Sequence, residues 1–288
     1  MPNVNDLRGR IGGIRQTRKI TNAMYLISTS RMRRALEGIE RNKEYFYGAL
    51  ATMLDIRANA KTDHPYLVHR GGKRTAYIVI AGEKGLSGSY SHDVLSLADK
   101  SMEGRTVSHV FTVGNMAAAH FRRRGLFINE NFAHIGEDPT INTSRRMVSV
   151  IMDLYDSGEI DELRLVYTRF VNTLTYHPTD MKMLPLELDA LLAGRETPRK
   201  PREILYDPSP EEVFDAIVPQ FIIGFLYGAL VNSYASENCA RMGAMDNATK
   251  NADEMLESLN RQYHAMRQLS ITNEISEIVS GAEAMKQK

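Results

Sequence analysis

The chain has 288 residues, 36 Lys+Arg against 35 Asp+Glu, and one cysteine. A near-zero net charge weighs against nucleic-acid binding, a lone thiol excludes an internal disulfide and fits a reducing compartment, and the N-terminus lacks the apolar core of a signal peptide. The longest apolar run, Phe221 to Val231, is short for a bilayer span and contains Gly224 and Gly228, so the chain reads as soluble or peripheral to a membrane.

No proline interrupts the N-terminal stretch from Asn3 to Met53. Leu7, Ile11, Ile14, Arg18, Thr21, Tyr25, Ser28, Met32, Ala35, Ile39, Asn42, Phe46, Ala49, Met53 and Ile56 recur at alternating steps of four and three. That spacing predicts a coiled-coil helix over residues 1–58. Its length would be roughly 75 Å by the helical rise, against about 50 Å for the diameter of a globule of this chain length. Ile20, Met24 and Ile27 form a side stripe expected to widen the apolar face. Residues 1–57 carry 11 Lys+Arg against 5 Asp+Glu, a net of +6. Within them the cluster Arg31, Arg33 and Arg34 fits either contact with an acidic protein surface or a solvated helix face.

Residues 74–205 alternate in character. Thr75–Ala81, Val107–Val113 and Leu163–Asn172 read as short apolar strands, with Met181–Pro185 a further candidate. Asp93–Met102, Asn115–Arg124 and Thr140–Tyr155 read as helices. Strand alternating with helix predicts an α/β domain with parallel strands, Rossmann-like in outline. Leu192–Pro210, with four prolines, reads as a linker.

The last segment, residues 210–288, is again helical. Pro219 either starts it or kinks a longer helix that begins after Pro210. Phe221, Gly224, Gly228, Val231, Ala235, Asn238, Met242, Met245, Thr249, Ala252, Leu256, Leu259, Tyr263 and Met266 keep one register. Ile271, Ile275, Ile278, Ala282 and Met285 follow, offset by one position, which rotates the apolar face. Residues 211–288 carry 6 Lys+Arg against 11 Asp+Glu, a net of −5. Opposite charge on the two long helices favours their pairing, although two solvated faces would show the same counts. A folded middle brings the ends together, so an antiparallel pair closes without a second copy. The expected fold class is therefore α/β: a long antiparallel coiled coil of the N- and C-terminal helices plus a Rossmann-like domain.

Catalytic chemistry is hard to find. The loop Ala81–Tyr90 (AGEKGLSGSY) follows a strand and precedes a helix, as a phosphate cradle does. Its glycine spacing matches neither nucleotide-binding fingerprint, and a tight strand-to-helix turn is the favoured reading. The eight histidines show no ligand spacing, so no metal is expected. Cys239 reads as a buried helix cysteine. Glu211–Glu212 and Asp161–Glu162 read as dipole complements rather than an acid/base couple.

Two stretches carry a resemblance. IRQTRKITNAMYLISTSRMRRA, ending at Ala35, and SENCARMGAMDNATKNADEMLESLNRQYHAMRQLSITNEISEIVSGAEAM, from Ser236 to Met285, resemble the terminal signatures of the gamma subunit of rotary F-type ATP synthases. With Gly82–Tyr90 and Tyr206–Pro208 in place, the resemblance covers essentially the whole chain. It implies a central rotor shaft coupling proton- or sodium-driven rotation of a membrane ring to ATP synthesis or hydrolysis. The implied partners are the alpha and beta subunits of the catalytic hexamer, an epsilon or delta-type stalk subunit, and the c-ring. Neither a catalytic residue nor a cofactor is implied. The implied location is peripheral, on the cytoplasmic side of a bacterial inner membrane or its organellar equivalent.

Residue roles follow from the resemblance. Met24 matches the shaft methionine near the acidic lever loop of beta. Lys84 stands where the family usually has arginine, within Glu83-Lys84-Gly85-Leu86-Ser87-Gly88; the charge survives but the planar fork does not. Arg241 and Arg267 match family arginines on the C-terminal helix and are implied contacts to the alpha and beta subunits, and Gln268, Thr272 and Glu274 match a polar group contacting beta. Ile275, Ile278, Ala282 and Met285 match the apolar tip that turns, as in a bearing, in a sleeve at the top of the hexamer of alpha and beta subunits. Tyr206 and Asp207 are implied contacts to epsilon and the c-ring. Gly12 and Gly13, inside the first helix, depart from a stiff shaft and should soften it by about 1 kcal/mol each relative to alanine. Gly224 and Gly228 either weaken the last helix or permit tight packing. A nucleotide-binding protein with a helical appendage remains the alternative.

Overall fold

The computed structural model of the protein describes residues 4–60, 64–72, 74–126, 128–129, 132, 138–188 and 206–286. The elements in chain order are α1 (Val4–Ala60), β1 (Arg74–Ile80), α2 (Tyr90–Met102), β2 (Thr106–Val113), α3 (Asn115–Arg123), β3 (Ile128–Asn129), α4 (Ile141–Asp156), β4 (Glu162–Asn172), β5 (Thr175–Leu184) and α5 (Pro210–Lys286). They form two compact units, residues 1–27 with 242–288, and residues 28–241.

The larger unit is built on a five-stranded sheet in the order β3-β2-β1-β4-β5. The pairings β1–β2, β1–β4 and β2–β3 are parallel. The strand expected at Met181–Pro185 is the end of a longer one, β5, which runs antiparallel to β4. The sheet is thus mixed rather than purely parallel. β5 holds Pro178, opposite Thr168, and an edge strand tolerates the missing N–H. Strand β3, two residues long, shows no signal in the sequence. The linker expected at 192–210 lies outside the described residues up to 205.

Side-chain alternation in β1 divides the core. Ala76, Ile78 and Ile80 join Met147, Ile151 and Tyr155 of α4, Leu50, Met53 and Ile56 of α1, and Phe214, Phe221 and Leu226 of α5. Tyr77, Val79 and Ala81 face Val94, Leu95 and Ala98 of α2 and Phe121 of α3. A strand covered on both faces needs a continuous apolar run, which is why β1 is buried almost throughout. α5 starts at Pro210, with Pro219 inside it. Ser209 caps it: Glu212 N–H donates to Ser209 Oγ at 3.2 Å, and the proline occupies a first-turn position that lacks a partner anyway. One 18-residue window of α5 is long and apolar enough to cross a membrane, more than Phe221–Val231 alone indicates, but half of it is buried inside the protein. Phe214, Val218, Phe221, Ile222 and Leu226 lie under the sheet, the arrangement of a core helix.

The glycines of α5 permit close approach. Asn42 Nδ2 donates to Gly224 O at 2.9 Å, and a Cβ on Gly228 would fall 2.8 Å from Asn42 Nδ2. α1 and α5 run antiparallel here, with Phe46 stacked on Phe221 at 4.9 Å. The smaller unit is also an antiparallel helix pair. Thr21 Oγ1 lies 2.7 Å from Thr249 Oγ1, Arg18 pairs with Asp253, and Leu7, Ile11, Met245 and Ala252 are buried. Gly13 borders a groove of about 480 Å³ lined by Arg10, Ile14, Met255, Ser258 and Leu259. Ile20 and Ile27, expected to widen the buried face, are more than half exposed.

Asp161 and Glu162 are not helix-dipole complements. Asp161 accepts two hydrogen bonds from the Arg74 guanidinium at 3.0 and 3.1 Å, and one from Arg74 N–H at 3.1 Å. Glu162 accepts from Arg105 at 3.1 Å and from Arg164 at 3.0 Å. The Arg74 side chain, more than burial opposes, holds the Asp161 carboxyl below its ordinary range. A depressed carboxylate contributes stability above its unfolded pKa and loses it as pH falls through the folded value. Asp161→Asn should therefore destabilise the chain at pH 7. The gap to the native chain should close as pH drops below about 4; urea titrations at both pH values measure it.

Candidate functional site

In doubly wound sheets, ligands bind outside the carboxyl ends of the strands where the strand order reverses. Here that point lies between β1 and β4, and α5 fills it. Ser233 Oγ accepts from Thr168 N–H at 3.2 Å, and Asn232 Oδ1 accepts from Phe170 N–H at 3.2 Å. The Tyr90 hydroxyl donates to Ser233 O at 3.1 Å, and burial pushes its phenol pKa up. Cys239 is buried and its thiol donates to Thr173 O at 3.1 Å. The end of β4 thus binds the protein's own helix, where a nucleotide would otherwise lie.

The loop after β1 is held from several sides. Gly82 N–H donates to Ser91 Oγ at 3.2 Å, and Gly82 O accepts from Met116 N–H at 3.1 Å. Glu83 accepts from the Asn115 side chain and, at 3.2 Å, from Asn115 N–H. Asn115 opens α3 just after Gly114, whose φ is 90°. A Cβ at Gly114 would meet Ala81 O at 2.3 Å, so only glycine fits this crossing. From α5, Arg241 pairs with Glu237 one turn earlier, and both side chains are nearly buried. Burial pushes the Glu237 carboxyl up, and Arg241 opposes it. The same Arg241 Nη2 reaches Lys84 O at 3.3 Å and Gly85 O at 3.4 Å.

The residues singled out in the sequence are spread over several elements. Lys84 is exposed on the loop, and Arg241 lies behind it. Arg31, Arg33 and Arg34 are exposed on α1 within the same unit. Arg267, Gln268, Thr272, Glu274, Ile275, Ile278 and Ala282 are exposed on the last part of α5; Thr272 Oγ1 donates to Gln268 O at 2.9 Å. Met24 is half-buried on α1, Tyr206 is half-buried and Asp207 exposed just before α5. The Met285 side chain lies outside the described residues. Glu237, Asn115 and Ser233 were missed as site residues. Only Glu237 had a sequence signal, its four-residue spacing from Arg241.

The family model for ATP synthase matches residues 3–285. The ATP synthase gamma chain of Alkaliphilus metalliredigens is 39% identical over 285 residues, covering 98% of this chain and 99% of the relative. The chain belongs to the ATP synthase gamma chain family. The sodium ion specific gamma chain of Acetobacterium woodii is 35% identical, covering 98% of this chain and 99% of its own length. The fold matches a chain in the Euglena gracilis mitochondrial ATP synthase OSCP/F1/c-ring structure, TM-score 0.66 at 16% identity, covering 98% of this chain and 94% of that one. A chain of the Tetrahymena thermophila central stalk and c-ring matches with TM-score 0.59 at 22% identity, covering 80% of this chain and 99% of that one.

Proposed function

We propose that this gamma chain is the non-catalytic central rotor shaft of an F-type ATP synthase. It transmits rotation of a c-ring to the alpha and beta subunits of the catalytic hexamer, with an epsilon-type subunit at the stalk. It works peripherally to the membrane, on the cytoplasmic side in a bacterium. The observation that carries this reading is the full-length family match of a chain whose ends pair as antiparallel helices while the end of α5 leaves Ile271, Ile275, Ile278 and Val279 about half exposed or more. Such a face fits an element gripped by other subunits.

In this reading Arg31, Arg33, Arg34 and Lys84 present positive charge to acidic levers of beta, and Met24 lies near the same levers. Arg267, Gln268, Thr272 and Glu274 contact beta nearer the tip, while Tyr206 and Asp207 face the stalk partners. Exposed ion pairs contribute about 0.2–1 kcal/mol each. Four of them supply part of the torque, not all of it. Neutralising Arg31, Arg33, Arg34 and Lys84 together to glutamine should lower single-molecule torque without abolishing rotation. Unchanged torque and coupling would remove the electrostatic contact from the mechanism.

A further inference from the structure

We propose that Arg241 is a positioning residue that clamps the loop 83–88, fixing where Lys84 and Leu86 are presented to the partner. This rests on the rotor reading for what the loop meets, but not for the clamp itself. Resemblance alone makes Arg241 a direct partner contact. Its surroundings point elsewhere: the side chain is only 12% exposed, and its Nη2 serves Glu237 and the carbonyls of Lys84 and Gly85.

The loop needs holding. Leu86 has φ 68° and is 62% exposed, a left-handed backbone that a residue with a Cβ keeps only where its surroundings impose it. Gly88 follows at φ 58°. Two anchors lead into this strained tip. Glu83 is tied to Asn115 of α3, and the next two carbonyls are tied to Arg241 of α5. Glu237 orients Arg241 and itself sits close against the backbone: a Cβ on Gly82 would lie 3.1 Å from its Oε1. Arg31 on α1 and Glu83 on the loop add charge around Glu237. All three contacts are made by Nη2, whose two N–H groups divide between the Glu237 carboxylate and the neighbouring carbonyls of Lys84 and Gly85. A lysine at 241 lacks the rigid guanidinium plane that aims these donors, and would hold the loop carbonyls less firmly.

Hydrogen exchange of amides 83–88 in the full chain tests the clamp directly. Arg241→Ala should speed their exchange at least about tenfold, with amides in the interior of α2 unchanged, and Arg241→Lys should fall between. Equal loop exchange in all three chains overturns the clamp. In the assembled catalytic complex, rotation torque is compared for Lys84→Gln, Arg241→Lys and the double variant. A positioning residue predicts that the double variant loses no more than Lys84→Gln alone. Fully additive losses would make Arg241 a partner contact in its own right and overturn the proposal. Should Lys84→Gln alone change nothing, the rotor contact assigned to Lys84 fails, while faster loop exchange in Arg241→Ala would still uphold the clamp.

Discussion

Phe221→Ala should lower the unfolding free energy of the full chain by about 3–5 kcal/mol, read from urea unfolding. Phe221 is 2% exposed, and its ring centroid lies 4.9 Å from Phe46. It belongs to the same buried cluster as Met53 and Ile56 of α1, Ile78 of β1 and Tyr155 of α4. Removing the ring leaves a cavity that the helices have little freedom to close. A Cβ on Gly224 would lie 3.0 Å from the Tyr45 ring, so the backbones already touch through side chains. Leu174→Ala is the control: Leu174 is 93% exposed at the β4–β5 turn, and its loss should stay within about 0.5 kcal/mol. A cost at Phe221 no larger than at Leu174 would mean that α5 is not anchored through this cluster. In the proposed rotor, torque delivered to the sheet would reach α5 through such contacts.

Helical periodicity made the terminal helices legible, because the seam carries most of the buried positions of α1. Leu7, Ile11, Thr21, Ser28, Met32, Ala35, Met53 and Ile56 are all buried. Polar seam positions also make sense in place, as Thr21 bonds Thr249 and Asn42 bonds Gly224 O. Of the parallel strands, β1, β2 and β4 were legible as apolar runs. Of β5 only the end, from Met181, was legible, because an edge strand with Pro178, Thr179 and Asp180 looks like a loop until its partner is known. The loop at 81–90 was read as a tight turn, yet nothing local shows what holds it. Its clamp comes from a residue 157 positions away. Likewise, α5 closing the crevice between β1 and β4 depends on tertiary placement that no motif encodes.

The tip yields the second large effect. Ile275 is 55% exposed and Ile278 71% exposed, so neither contributes much to the isolated chain. Replacing both with glutamine keeps helix propensity nearly constant and should leave urea stability within about 0.5 kcal/mol. Assembly should respond differently. Fully burying an isoleucine side chain against a partner is worth about 1.5–3 kcal/mol, so the pair supplies roughly 3 kcal/mol or more. Its loss should weaken association with the catalytic hexamer by about a hundredfold. Reconstitution of the complex at graded subunit concentrations measures this. Complexes that do form should turn over nucleotide at near-native rates, because the change removes bearing surface without touching the groups assigned to torque. Normal assembly combined with slowed turnover would reverse that assignment, making the tip a driver of the catalytic subunits rather than the bearing in which the shaft turns.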